Sequence, residues 1–420
     1  MEKHQLLYRI YFVFLHSMKY LAITFLLFVT IAQAGNKIYS PTIKTLTTIV
    51  NDDWLNRPVM ELGSSDILYI GFDELSHNTH QYTYHLTRCE ADWTESTDVF
   101  ESDWLQGFND NPIDDYRNSL NTTVLYTHYE FQIPNEQCSI RMSGNYRLSI
   151  YDEDNGHEKI LDAEFYVVEP QMNIGLSMTT NTDIDFNNSH QQLSMTLEYR
   201  NMKIVRPEDE IYTIVMQNWN EQTARINVKP QYIYQSGQKW EHQRDLIFDA
   251  GNEYHKFEIL DVSHPTMGID RIVWDGERYQ AYPFATTQRR NYLTDESANG
   301  AFLIRNSDRI EEAFTCDYVW VNYTLESPYN GEIYLQGQWT NNADQTAYQM
   351  QYNGTSQCYQ TQIMQKQGYY SYHYIDKYGA TSPTEGNFFQ TRNTYQALVY
   401  YKGLGDRTWR LVGYRGLNTK

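Results

Sequence analysis

The chain reads as all-β: tandem immunoglobulin-like and early-set β-sandwich domains behind an N-terminal export leader. Three observations predict this. Short segments alternate apolar and polar residues with period two: Tyr82, Tyr84 and Leu86 against Thr83, His85 and Thr87; Tyr129, Phe131 and Ile133 against His128, Glu130 and Gln132; Tyr146, Leu148 and Ile150 against Arg147 and Ser149. That period marks strands with one buried face. Turn residues separate the segments, and no stretch after the leader carries a helical apolar stripe.

The leader is the run from Met18 to Gly35 (MKYLAITFLLFVTIAQAG). One lysine precedes an apolar stretch that ends in Ala32-Gln33-Ala34, a small-x-small triplet, which is the composition of a secretory signal peptide. Residues 1–34 are therefore read as the leader, with translation starting at Met1 or Met18. An uncleaved anchor is the rival reading. However, His16, Ser17 and Lys19 interrupt any span of the ~20 apolar residues a membrane helix needs.

Asn155-Gly156 follows the strand at Tyr146–Ile150 and is a strong hairpin signal, with Ala163 to Val168 as the partner strand. Glu169-Pro170 ends the run, closing an immunoglobulin-like domain over residues 35–170. A second β-rich domain spans 171–296, with strands near Gln192–Tyr199 and Ile211–Gln217. A C-terminal early-set or starch-binding-like sandwich spans 297–420, with strands at Val319–Leu325, Glu332–Leu335, Tyr348–Tyr352, Cys358–Met364, Tyr369–Ile375 and Tyr395–Tyr401.

Charge is one-sided: 33 Lys and Arg against 53 Asp and Glu give −20. Such a surface repels phosphate backbones, which excludes nucleic acid as a partner. Tyrosine is abundant, at 37 of 420 residues. It suits pleated half-buried strands, and it also suits sticky exported interfaces. Of the 4 cysteines, Cys89 with Cys138 and Cys316 with Cys358 are the candidate disulfides, one for each end of the chain. Export permits their oxidation, and free buried thiols are the alternative.

No GxSxG, HExxH, P-loop or GxGxxG motif occurs, so no catalytic, cofactor or metal residues are assigned. His157-Glu158 opens like a zinc-protease helix, but Leu161 stands where the second histidine belongs. His77, His80 and His85 cluster in sequence, yet they straddle a turn and a strand and read as surface histidines. Asp152, Asp154 and Asn155 imitate the start of a calcium loop, with Gly156 at the fifth position rather than the sixth. Gly403 to Arg407 reads as a tight turn rather than an anion cradle. Trp339, after the Gly331–Gln338 strand-and-turn and ahead of Tyr348, Tyr352, Tyr359, Tyr369, Tyr370 and Tyr372, is a candidate aromatic contact for a sugar ring or else a core residue. The first reading would make the chain an exported carbohydrate-binding protein of a glycan-uptake system.

A set of strings runs in order along the chain: Asp92-Trp93, Gly107-Phe108, Asn118 to Thr122, Tyr126 to Tyr129, Ile133-Pro134-Asn135, Ser143 to Ser149 with Asp152, Asn299 to Arg305, Gln367 to Tyr370, Glu385 to Phe389, Asn393-Thr394-Tyr395, Val399 to Lys402 and Gly405-Asp406-Arg407. Together they resemble the type IX secretion system plug protein family of Bacteroidota. Arg88 to Trp93 departs from the family's His-Cys-Asp-x-Asp-Trp run. The resemblance implies a non-catalytic periplasmic protein without cofactors. Its partner would be a large outer-membrane β-barrel translocon, whose periplasmic opening it plugs when idle. The turn regions Asp110–Asp115 and Asn181–His190 read as exposed candidates for contact.

Overall fold

The computed structural model describes residues 35–419, and the expected leader at 1–34 lies outside them. Strands dominate, and among the described residues no helix is long and apolar enough to cross a membrane.

The first sandwich is built from residues 37–168. One sheet runs in the order Lys37–Ile38, Glu158–Val168, Gly144–Asp152, Tyr82–Cys89, Asn111–Pro112, with Val59–Glu61 parallel to Glu158–Val168. The facing sheet runs Ile43–Val50, Leu68–Glu74, Thr127–Ile133, Asp115–Asn118. The alternating residues named above supply its core. Tyr82, Tyr84 and Leu86 meet Leu148, Ile150, Phe72 and Tyr129 between the sheets. The hairpin closes at Asn155-Gly156, where Gly156 takes a positive φ of 69° that costs a glycine nothing. One expectation fails: His128, on the face predicted to meet water, is buried. The third sandwich covers that face.

The expected boundary at 296/297 does not divide the fold. The middle sandwich packs a sheet of Asn173–Thr179, His190–Glu198, Gly237–Trp240 and Tyr232–Tyr234 on a sheet ordered Asn220–Ile226, Ile211–Gln217, Thr394–Tyr401, Arg410–Asn418. Its core joins Leu193, Met195, Leu197 and Trp240 to Tyr395, Val399 and Val412. The last hairpin of the chain therefore completes the middle body. The third body is a ten-stranded sheet that begins at His255–Ile259 and ends with Gly368–Ile375. Its core holds Phe257, Val319, Val321, Tyr323, Leu335, Trp339, Tyr370 and Tyr372. Period-two patterning says which face of a strand is buried, but not which distant strand lies beside it.

Buried charge ties the bodies together. Between the first and third sandwiches, Asp73 is fully buried. It accepts from Lys366 Nζ at 2.6 Å, Tyr318 Oη at 2.6 Å and His128 Nδ1 at 2.6 Å. The Lys366 ammonium also lies 4.2 Å from the Tyr126 ring. Beside this cluster, the amides of Thr123 and Val124 donate to the Asp317 carboxylate at 2.8 and 3.1 Å. Between the first and middle sandwiches, Arg88 donates to Ser143 O at 2.9 Å and Trp409 O at 2.6 Å, and Tyr400 Oη donates to Asn145 at 2.8 Å. Between the middle and third bodies, Glu385 pairs with Arg289 and with His255 at 3.2 Å, and it accepts from the Tyr374 amide at 2.8 Å.

These contacts set the titration of the groups. Burial alone would raise Asp73, but the Lys366 charge and the His128 hydrogen bond outweigh it and hold the carboxyl below its usual range. Burial would lower His128, yet its hydrogen bonds to Asp73 and Glu130 raise it. Burial would also raise Glu385, and the charges of His255 and Arg289 hold it well below the usual range. His373 is pushed down to about 4 by burial.

All four cysteines are free thiols, so the expected pairings Cys89–Cys138 and Cys316–Cys358 are not made. Strand register explains both. Cys358 stands opposite Glu326, and Cys316 precedes Tyr318 at the far end of the same ladder, about 30 Å away at roughly 3.3 Å per residue. Cys138 Sγ lies 3.4 Å from the Tyr84 hydroxyl, about 16 Å along the strand from Cys89. A disulfide needs Cα atoms within about 7 Å. Burial pushes the Cys89 and Cys316 thiols up to about 12, which leaves them unreactive.

The Lys366→Met change strands the Asp73 charge and is expected to cost about 3–5 kcal/mol in urea denaturation, while pairing it with Asp73→Leu recovers most of the loss. The pH dependence follows from the signs of the shifts. Asp73 is lowered in the fold, so its contribution is full above the unfolded value near ~4 and fades as pH falls through its folded value. His128 is raised, so its contribution is full below ~6.5 and fades as pH rises through its folded value. Asp73→Asn should flatten the acid limb of the melting profile, and His128→Gln the limb above neutrality. Thiol titration of the unfolded protein without reductant should count four thiols. Native alkylation should label half-buried Cys358 first, and reductant should leave the melting temperature unchanged.

Candidate interaction surface

The residues singled out from sequence are mostly placed by packing. Trp339 is 9% exposed; its indole Nε1 donates to Ser371 O at 3.0 Å, and Tyr323, Tyr348 and Tyr370 pack around the ring. It forms part of the wall of a cavity of 380 Å³ between the first and third sandwiches, also lined by Ile43, Leu46, Leu75 and Phe302. Tyr359, Tyr369, Tyr370 and Tyr372 are buried as well. These rings make no solvent-facing platform.

The three neighbouring histidines diverge. His77 meets Ser119 at 2.9 Å and His85 meets Asp110 at 2.7 Å. His80 turns the other way and joins Asp152 and Asp154, whose ligand atoms lie within 4.8 Å of one another and of the imidazole. The hairpin thus brings the imitation calcium loop to a histidine 72 residues earlier. Neither motif signalled the other in sequence, because only the pairing of Tyr82–Cys89 with Gly144–Asp152 brings them together. In the Gly403–Arg407 turn, the Asp406 carboxylate already accepts from the Gly403 amide at 2.9 Å, so an acidic side chain fills the place an anion would need.

The two loops read as exposed differ. Residues 110–115 contain the short strand Asn111–Pro112 and bury Ile113, leaving Asp110, Asp114 and Asp115 in water. Residues 181–190 present Ile184 at 53% and Phe186 at 70% exposure. Their backbone is locked from inside: Thr182 and His190 both bond Asp185, at 2.8 and 2.7 Å.

Sequence reading missed the strand Tyr232–Tyr234. It is the outer strand of its sheet, bonded only to Gly237–Trp240. All three of its residues are exposed, and the two tyrosine rings stack at 6.2 Å. An unpaired edge carrying apolar side chains is a ready template for association. The signal was present as Tyr-Ile-Tyr between Pro230 and Gly237. Alternation alone, however, assigns its tyrosines to a core face. This edge and the Ile184–Phe186 loop sit at one end of the sheet. His242 reaches Asp183 at 3.1 Å, and the next residue, Gln243, reaches Lys229 O at 2.8 Å, just ahead of the edge strand.

The comparisons with known proteins agree with this architecture. The family model of the type 9 secretion system plug protein 1st domain matches residues 43–169, which is the first sandwich. The crystal structure of a hypothetical protein from Parabacteroides merdae superposes with a TM-score of 0.87 at 33% identity, over 92% of this chain and 99% of that one. A collagen adhesin from S. aureus aligns at 9% identity with a TM-score of only 0.11, over 92% of this chain and 94% of that one. No curated protein matches. The chain belongs to the type IX secretion system plug protein family.

Proposed function

We propose that this plug family member is a non-catalytic periplasmic protein. It docks on a large outer-membrane β-barrel translocon and closes its periplasmic opening when no substrate is in transit. Family membership carries the reading. The buried charged junctions support it physically: a stopper must keep its shape against a pore, and three bodies fixed by buried ion pairs and hydrogen bonds resist hinging. We place part of the contact on the end of the middle sandwich formed by Ile184, Phe186 and Tyr232–Tyr234. Rigid aromatic side chains there concentrate binding energy with little ordering cost.

The glycan-binding alternative rested on an exposed Trp339, and the ring is packed inside the third body instead.

The test is co-purification of the tagged protein from gently solubilised outer membranes, read by mass spectrometry. The expected result is near-stoichiometric recovery of a very large β-barrel, strongest when secretion is idle. Phe186→Asp combined with Tyr234→Asp should cut recovery at least tenfold without lowering the melting temperature by more than a few degrees. Deletion of the gene should make the outer membrane leakier to a periplasm-excluded dye. Unchanged permeability together with no recovered barrel would overturn the proposal.

A further inference from the structure

One corner of the first sandwich has the composition of a metal site. His80 lies just before the strand Tyr82–Cys89, Asp152 ends Gly144–Asp152, and Asp154 sits in the following turn. Each offers one ligand atom, and the three atoms lie within 4.8 Å of one another. Donors around a zinc ion at ~2.1 Å stand about 3.4 Å apart, so small side-chain rotations suffice to close on an ion. His80 Nδ1 faces Asp152 Oδ2 at 3.2 Å. The Gln81 amide holds Asp154 Oδ2 at 2.8 Å and leaves Oδ1 free to turn inward.

A second observation is independent of this trio. Glu74 is the last residue of Leu68–Glu74 in the opposite sheet, and its side chain is only 6% exposed. Its Oε1 lies 3.6 Å from His80 Nε2, on the far side of the imidazole from Asp152. Its Oε2 is buried with no hydrogen-bond partner among the described residues. A buried carboxylate oxygen without a partner is costly and calls for an explanation. Three carboxylates thus crowd one imidazole, and the cluster is short of positive charge. A divalent cation on Nδ1, Asp152 and Asp154 would supply it. Nε2–H would then donate to Glu74, in the carboxylate–histidine–metal arrangement that fixes the tautomer of a ligating imidazole.

We propose that His80, Asp152 and Asp154 bind a divalent transition-metal ion, with Glu74 as the carboxylate that orients the histidine. Mixed imidazole and carboxylate ligands favour zinc, manganese or iron over calcium and magnesium, which take all-oxygen shells. The ion would be structural. It would fasten the Asn155-Gly156 hairpin of one sheet to the end of the strand Leu68–Glu74 in the other, at a corner where the three carboxylates repel.

The test uses Zn²⁺ alone, titrated into chelator-stripped protein against a chromophoric chelator. The expected result is one equivalent bound with micromolar or tighter affinity, together with a rise in melting temperature. His80→Gln and Asp152→Asn should each weaken binding at least a hundredfold, and Glu74→Gln ten- to a hundredfold. His190→Gln is the control: this imidazole also meets two aspartates, Asp185 at 2.7 Å and Asp249 at 3.3 Å, and its loss should change nothing. Melting in chelator shows that each variant is folded. Zinc absorption spectra should report one imidazole with oxygen donors. Affinity weaker than millimolar, binding unaffected by His80→Gln in a folded variant, or a sulfur donor in the spectrum would overturn the proposal.

Discussion

One carboxylate sets the terms for much of this molecule. Asp73 is taken out of water between two sandwiches, and it survives there because an ammonium, an imidazole and a phenol converge on it. An unpaired charge in that position is not tolerable. The requirement fixes several things at once. Lys366 must reach across from the end of Cys358–Lys366, Tyr318 must open the strand beside it, and Leu68–Glu74 must keep its register. A slip of one residue in any of these strands would turn the needed side chain to the opposite face. The junction therefore selects one arrangement of first and third bodies from the many that apolar packing alone would accept.

The same logic explains the tyrosines. Many are core residues whose hydroxyls reach a backbone carbonyl: Tyr126 that of Cys316, Tyr146 that of Met142, Tyr370 that of Lys366. A phenol can fill a sandwich and satisfy an interior carbonyl at once. Of the two readings that composition allows, half-buried strands and a sticky surface, the first accounts for most of this abundance. The outward exceptions, such as Tyr232 and Tyr234, stand out accordingly.

How much was legible in the sequence varied with the range of the contacts. The strands of the first sandwich and its Asn155-Gly156 hairpin were plain, because each depends on neighbours a few residues away. His128 was misplaced because alternation describes one sheet and is blind to a second body covering its other face. The disulfide expectation failed because sequence spacing does not report strand register, which puts Cys316 and Cys358 at opposite ends of one ladder. The meeting of His80 with Asp152 and Asp154 was invisible for the same reason: a turn and a hairpin tip come together only when two distant strands pair. Trp339 illustrates the remaining ambiguity. A Gly-rich turn before a tryptophan looks alike whether the ring faces water or a Tyr323 partner.

The route of the chain through the middle sandwich has a consequence for how the protein comes into being. A polypeptide delivered from its N-terminus can close the first sandwich as soon as residue 168 is available, since every strand of that body is already present. The middle body cannot do so. Ile211–Gln217 offers a bare edge until Thr394–Tyr401 and Arg410–Asn418 arrive to cover it, and the whole third body is laid down in the meantime. Non-local pairing of this kind folds slowly and leaves sticky edges open while it waits. The nascent molecule passes through a stage with one finished head, one finished flank and an unsealed waist, and that waist is where a chaperone would have the most to hold.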